Sequence, residues 1–141
     1  MTRRHFKLLK TFHFIERYNS SDITGKQYEV IVFLNNFNKI EDKELYITKF
    51  INSEDETIVE LRIKIFKFLN LLQEVSAAYK MGILSEKAFI LTFGSILPRY
   101  YSRFSEFIKE NRKKSGDETL FKTLEDVSIK IDKKYKYNFI K

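Results

Sequence analysis

His5 and His13 are the only imidazoles in the 141 residues, and they stand eight positions apart in a segment with helical periodicity. That spacing is a little over two turns, so the rings face similar directions without meeting. A metal ion held on one helix needs ligands three or four residues apart, and no Asp or Glu completes such a set. The Arg-(four to six residues)-His arrangement of helical ribonucleases is missing too. Arg3 and Arg4 lie too close to His5 and too far from His13, and no histidine follows position 13. Cysteine is absent, which removes disulfides, thiolate metal sites and thiol nucleophiles. The four glycines are too scattered for a phosphate-binding loop, a dinucleotide fingerprint or a Gly-x-Ser-x-Gly elbow. Three carboxylate pairs occur, Glu41-Asp42, Asp117-Glu118 and Glu125-Asp126. Adjacent residues diverge by about 100° on a helix, so each pair reads as capping or solvated surface. These patterns predict no catalytic residues, no metal and no cofactor.

The basic and aromatic residues offer more. Arg99-Tyr100-Tyr101-Ser102-Arg103 places two guanidiniums one helical turn apart, a spacing that can hold a phosphate or a partner carboxylate. Arg112-Lys113-Lys114 follows, at a helix end whose dipole also favours cations. The tail Lys133-Lys134-Tyr135-Lys136-Tyr137-Asn138-Phe139-Ile140-Lys141 alternates base with aromatic. Such interleaving suits single-stranded nucleic acid, a membrane surface or a partner groove, or else a terminal segment that anchors its rings on the bundle. Arg99, Arg103, Arg112, Lys113, Lys114, Lys133, Lys134, Tyr135, Lys136 and Tyr137 are therefore the candidate anion- or partner-binding residues. The net charge of +7 is unevenly spread. Seven acids against two lysines lie between Glu41 and Glu60, and much of the compensating basic surplus lies in the first seventeen residues and from Arg99 onward.

The elements that would position these groups are helices. A hydrophobic fraction of 43% supplies a core, while four Gly and one Pro are too few for the turns of an all-β fold. The longest uncharged stretch, Ala88 to Pro98, falls far short of the roughly 20 residues of a membrane span. The expectation is one all-α domain over 1–141, a bundle of about five or six helices, on the cytoplasmic side.

His5 to Tyr18 reads as the first helix, with Leu8, Phe12 and Ile15 as its apolar stripe. Asn19-Ser20-Ser21-Asp22 ends it. Gln27 to Lys39 is ambiguous, since Val30 to Leu34 resembles a buried strand, but no partner strand exists and helix is preferred. Glu41 to Asn52 follows with Leu45, Ile47, Phe50 and Ile51 inward. Ile58, Leu61, Ile65, Phe68, Leu72, Val75 and Tyr79 alternate spacings of three and four, a heptad seam on a long central helix, 55–81. Gly82 closes it in a left-handed conformation. Ser85 caps a helix over 86–112 that Pro98 kinks or breaks near Leu97. Ser115 and Glu118 have capping-box spacing for a last helix with Leu120, Leu124, Val127 and Ile131 buried. Because the kinked helix can hardly follow the whole seam, the rest is left partly bare unless the first helix or a second copy fills it, and a homodimer is expected.

Three segments carry a family resemblance: Phe12-His13-Phe14-Ile15-Glu16-Arg17-Tyr18-Asn19-Ser20, Phe68-Leu69-Asn70-Leu71-Leu72-Gln73-Glu74-Val75-Ser76, and Tyr79-Lys80-Met81-Gly82-Ile83-Leu84-Ser85-Glu86. In them the chain resembles the bacterial family catalogued as domain of unknown function 4760. Similar proteins carry membrane spans ahead of this helical part, so the resemblance implies a membrane link only through a partner or through such an anchor. It supplies no catalytic residues, and some relatives resemble components of membrane-linked or phage-defence systems. The combined expectation is a non-catalytic helical interaction or regulatory module of a bacterial or phage-related system, with nucleic-acid binding by the basic C-terminal half as the alternative.

Overall fold

A computed structural model describes residues 1–20, 29–30, 32–33, 35–37 and 39–141. Its helices are α1 (Arg3–Asn19), α2 (Lys43–Asn52), α3 (Glu56–Lys80), α4 (Glu86–Phe93), α5 (Ile96–Ser115) and α6 (Lys122–Tyr135). The described residues between 29 and 37 are helical as well, and no strand occurs among the described residues. Val30, Phe33 and Phe37, three and four apart, are all buried, and the Phe33 ring stacks on Phe50 with centroids 4.5 Å apart. Helical spacing toward α2 thus outweighs the β-branched composition of that stretch. Residues 21, 22, 27, 31 and 34, which also figured in the expected turn and helix, lie outside the described residues.

The central helix begins and ends as its residues dictate. The Asp55 carboxylate accepts from the Ile58 amide at 3.2 Å and satisfies one of the four donors left open at a helix start. At the other end Gly82 adopts φ +74°, so Ile83 N–H reaches the Ala78 carbonyl and Gly82 N–H that of Tyr79. This paired closure is the Schellman arrangement. Between them Ile65, Phe68, Leu69, Leu71, Leu72 and Val75 are fully buried. Phe68 meets Tyr100 and Phe104 of α5 and Tyr18 of α1, while Phe66 meets Phe107 and Phe121. From Ile65 to Val75 the seam is therefore covered within one chain. Ile58, Leu61 and Tyr79 of the seam are partly buried.

Pro98 breaks the helix near Leu97, the second of the two outcomes its missing N–H allows. Proline lacks an N–H and its ring collides with the carbonyl four residues back, here that of Gly94. The chain accordingly turns at Gly94 and Ser95, three residues before Leu97, and restarts with Pro98 in the first turn of α5, where a missing N–H is harmless. Gly94 is also required sterically, since a Cβ there would lie 2.5 Å from the Ile90 carbonyl oxygen.

The last helix starts later than its capping-box spacing predicted. α5 runs on to Ser115, and Gly116, at φ +71°, donates to the Arg112 carbonyl. Ser115 Oγ then accepts from Asp117 N, and the Asp117 carboxylate accepts from both donors of Thr119, which makes a turn instead of a cap. Phe121 enters α6 at φ +57°, a strained conformation for a bulky residue, held by burial of its ring beside Phe66. With no capping side chain there, Gln73 of α3 supplies the acceptor for Leu124 N at 2.7 Å. The stripe itself is as expected: Leu124, Val127 and Ile131 are buried and Leu120 packs against the core.

Two other faces are rotated from expectation. On α1 the buried residue is Thr11, with Phe14, Ile15 and Tyr18 packed beside it, whereas Phe12 is half exposed. Thr11 is favoured inward because its hydroxyl bridges two backbone groups, donating to Lys7 O at 2.8 Å and accepting from Ser85 N at 2.9 Å. On α2, Ile47, Phe50 and Ile51 face inward but Leu45 is exposed.

Candidate interaction surfaces

The structure spends several of the predicted cations on its own architecture. Lys114 reaches across to the Ile51 carbonyl at 2.9 Å, and Arg62 donates to the carbonyls of Phe50 and Ser53 at 2.6 and 2.7 Å. Together they satisfy the end of α2, whose carbonyls and dipole attract cations. Lys113 pairs with Glu110 at 3.1 Å, and Lys134 with Glu86 at 3.5 Å.

Arg112 belongs to a half-sequestered cluster. Its Nε donates to Leu120 O at 2.9 Å and its Nη1 lies 3.5 Å from Glu125, while its buried Nη2 finds no partner among the described residues. Glu125 also accepts from Lys122 at 2.8 Å and from the Tyr101 hydroxyl. Burial pushes the Glu125 carboxyl up, but the hydrogen bonds of Lys122 and Tyr101 and the charges of Arg112 and Lys122 outweigh it and hold it down at about 2. Burial, then the Glu125 bond, drives the Tyr101 phenol well above its usual range. Near neutral pH both groups are locked in one protonation state, so the arrangement orders the α5–α6 junction and has no proton to exchange. Lys109, Arg112, Lys113 and Lys122 do line an open groove of about 590 Å³, but each sits in an ion pair with Glu106, Glu110 or Glu125. Its positive charge is already neutralised.

The tail folds back on the bundle, the anchoring alternative for its rings. Lys136 takes φ +55° and ends α6. The buried Asp132 carboxylate accepts from Phe139 N at 3.0 Å and Ile140 N at 3.2 Å, and Ser102 Oγ donates to Phe139 O at 2.7 Å. Tyr135, Tyr137 and Phe139 form a ring ladder, and Arg99 lies over the Phe139 ring at 5.1 Å. Of the candidate cations, Arg103, Lys133 and Lys136 are exposed and outside the ion pairs of the described residues, and Lys114, also exposed, is held by the Ile51 carbonyl.

Uncompensated positive charge collects elsewhere. A groove of about 380 Å³ between α1, the turn after α3 and α6 is lined by Lys7, Lys80 and Lys130, with Tyr79, Glu86 and Asp126. A second, of about 310 Å³, shares Ser85 with it and is lined by Arg4, Leu8, Lys87 and Leu91. None of these five cations has an ion-pair partner among the described residues, whereas Glu86 and Asp126 are paired with Lys134 and Lys122. The sequence signal for this end was the basic first helix, but Lys80, Lys87 and Lys130 join it only through the packing of α1 on Ser85. At the opposite end of α3, Glu54, Glu56 and Glu60 are exposed and likewise unpaired among the described residues. At 1.5 Å per residue, Glu56 and Lys80 are about 36 Å apart along the helix axis. Unpaired cations thus line grooves near the end of α3, and unpaired acids stand at its start, where Arg62 and Lys114 also lie. His5 and His13 are exposed on the outside of α1, and no group of three His, Asp or Glu among the described residues has metal-site geometry.

These features define an all-α helical bundle. Residues 1–130 match the family described as Domain of unknown function (DUF4760), and the chain belongs to it. No curated protein and no solved structure matches the chain. No helix of the described residues is long and apolar enough to cross a membrane.

Proposed function

We propose that this chain is a non-catalytic helical interaction module, working on the cytoplasmic side in a bacterial or phage-related system. The observation that supports the reading is the placement of the acids Glu54, Glu56 and Glu60, outside the ion pairs of the described residues, at one end of α3, with Lys7, Lys80 and Lys130 lining a groove at the other. Opposite charges on two ends of a helix can meet complementary partners, by steering and by register. The acidic end suits a basic protein surface. The test is capture of a defined protein partner by the immobilised chain, repeated with Glu54→Lys/Glu56→Lys/Glu60→Lys. Loss of that partner at moderate salt with an unchanged melting curve supports the reading. Nuclease, hydrolase or nucleotide-transfer turnover that survives stringent repurification overturns it.

A further inference from the structure

The apolar residues of α4 point two ways. Phe89 and Phe93 are buried in the core. Leu91 lies about 160° round the helix from both, so no rotation of α4 buries all three, and 76% of the Leu91 surface is exposed. It stands in the groove of about 310 Å³ between α4 and α1. Arg4 and Leu8 of α1 line the same groove and are about 40° apart round their helix, as are Lys87 and Leu91 round α4. Each wall therefore presents a cation and a leucine one turn apart on one side. Ala88 adds only a methyl to the lining between them. The walls are tied together, because Ser85 N at the start of α4 donates to Thr11 Oγ of α1 at 2.9 Å. Neither Arg4 nor Lys87 has an ion-pair partner among the described residues.

From this we infer that the groove between α1 and α4 binds an acidic amphipathic segment of a partner protein. A large apolar side chain of that segment seats against Leu8, Ala88 and Leu91, and carboxylates beside it meet Arg4 and Lys87. The cations and the apolar surface line one groove, so its occupant meets both. A nucleic acid matches the charge, but its phosphate backbone offers nothing apolar to the two leucines. The volume lies at the lower end of ligand clefts and suits an anchoring side chain or two, not a folded surface. With the walls held by the Thr11–Ser85 hydrogen bond, the site is formed before its partner arrives, and little ordering opposes binding. The inference rests on the reading of the chain as an interaction module, but it concerns a different face from Glu54, Glu56 and Glu60. Its assay uses peptides alone, so its failure leaves the capture experiment above untouched.

The experiment is selection of random short peptides on the immobilised full chain, followed by fluorescence anisotropy with the selected peptides. They are expected to carry Asp or Glu beside a large apolar residue, and to bind less tightly as salt rises. Leu91→Ser lowers their affinity by about tenfold or more with an unchanged melting curve. Arg4→Glu/Lys87→Glu weakens them by about tenfold or more and selects basic peptides in their place, a switch that a loss of folding cannot produce. The control Arg103→Gln/Lys133→Gln stays within about twofold. Selection of no peptide, selected peptides without an acidic bias, undiminished binding by the charge-reversed variant, or an equal loss in the control overturns the proposal. So does a DNA or RNA duplex that binds more tightly than every selected peptide and is indifferent to Leu91→Ser.

Discussion

Glu125→Gln removes the one negative charge that Arg112, Lys122 and the Tyr101 hydroxyl share. In the folded chain that carboxyl is held down from its ordinary 4.5 to about 2. A fall of about two and a half pH units corresponds to roughly 3 kcal/mol of differential stability. The side chain keeps 15% of its surface in solvent, and screening trims the figure to about 2–3 kcal/mol near neutral pH. Because the folded value is depressed, this stabilisation is fully present above the unfolded value, 4.5, and is lost as pH falls toward about 2. Gln keeps an acceptor for Tyr101 but leaves the Arg112 guanidinium without its counter-ion, with Nη2 already unpartnered. Urea unfolding at pH 7 should therefore show Glu125→Gln about 2–3 kcal/mol less stable, with the gap closing as pH falls from 4.5 toward about 2. In a double-mutant cycle with Arg112→Met the two losses should fall short of additive by about 1 kcal/mol or more. A gap below about 0.5 kcal/mol at pH 7, or one undiminished at about pH 2.5, would refute the reasoning.

Thr11→Val keeps the shape of the side chain but strips Ser85 N of its buried acceptor, and thermal or urea unfolding should register a loss of about 1–3 kcal/mol. Asp132→Ala removes both acceptors that hold the tail, so carboxypeptidase should trim residues 137–141 much faster while α1–α5 keep their helical signal. Gly94→Ala, ordinarily a gain inside a helix, should destabilise by about 1–3 kcal/mol, because the added Cβ meets a backbone oxygen at 2.5 Å; a stabilised variant would show that the turn before α5 relaxes freely. Light scattering at micromolar concentration tests the homodimer expected from the α3 seam: about double the 17.0 kDa chain mass supports it, and a mass near 17.0 kDa sinks it.

Much of the fold was legible because it is local. The three–four alternation from Ile58 to Tyr79 can only be one face of a helix, and Asp55, Gly82 and Ser85 mark ends through their own side chains or lack of one. The scarcity of Gly and Pro excluded a turn-rich fold for the same reason. Pro98 announced a break, but its position depended on which carbonyl the ring opposes, and that places it at Gly94.

Only the tertiary structure decided which of two equally periodic faces turns inward. On α1, Leu9 and Phe12 are no less apolar than Leu8 and Ile15, and the choice fell to a threonine because Ser85 N, 74 residues away, needed an acceptor. The start of α6 likewise follows from Gln73 reaching Leu124 N across the bundle, which no capping pattern in 115–118 could foretell. Charge followed the same rule. The sequence determined how many cations there are; packing determined which keep a counter-ion. The apparent basic site around Arg112 is neutralised by Glu110 and Glu125, while Lys80, Lys87 and Lys130, unremarkable along the chain, gather beside α1. Electrostatic energy depends on distance in space, and distance along the chain does not encode it.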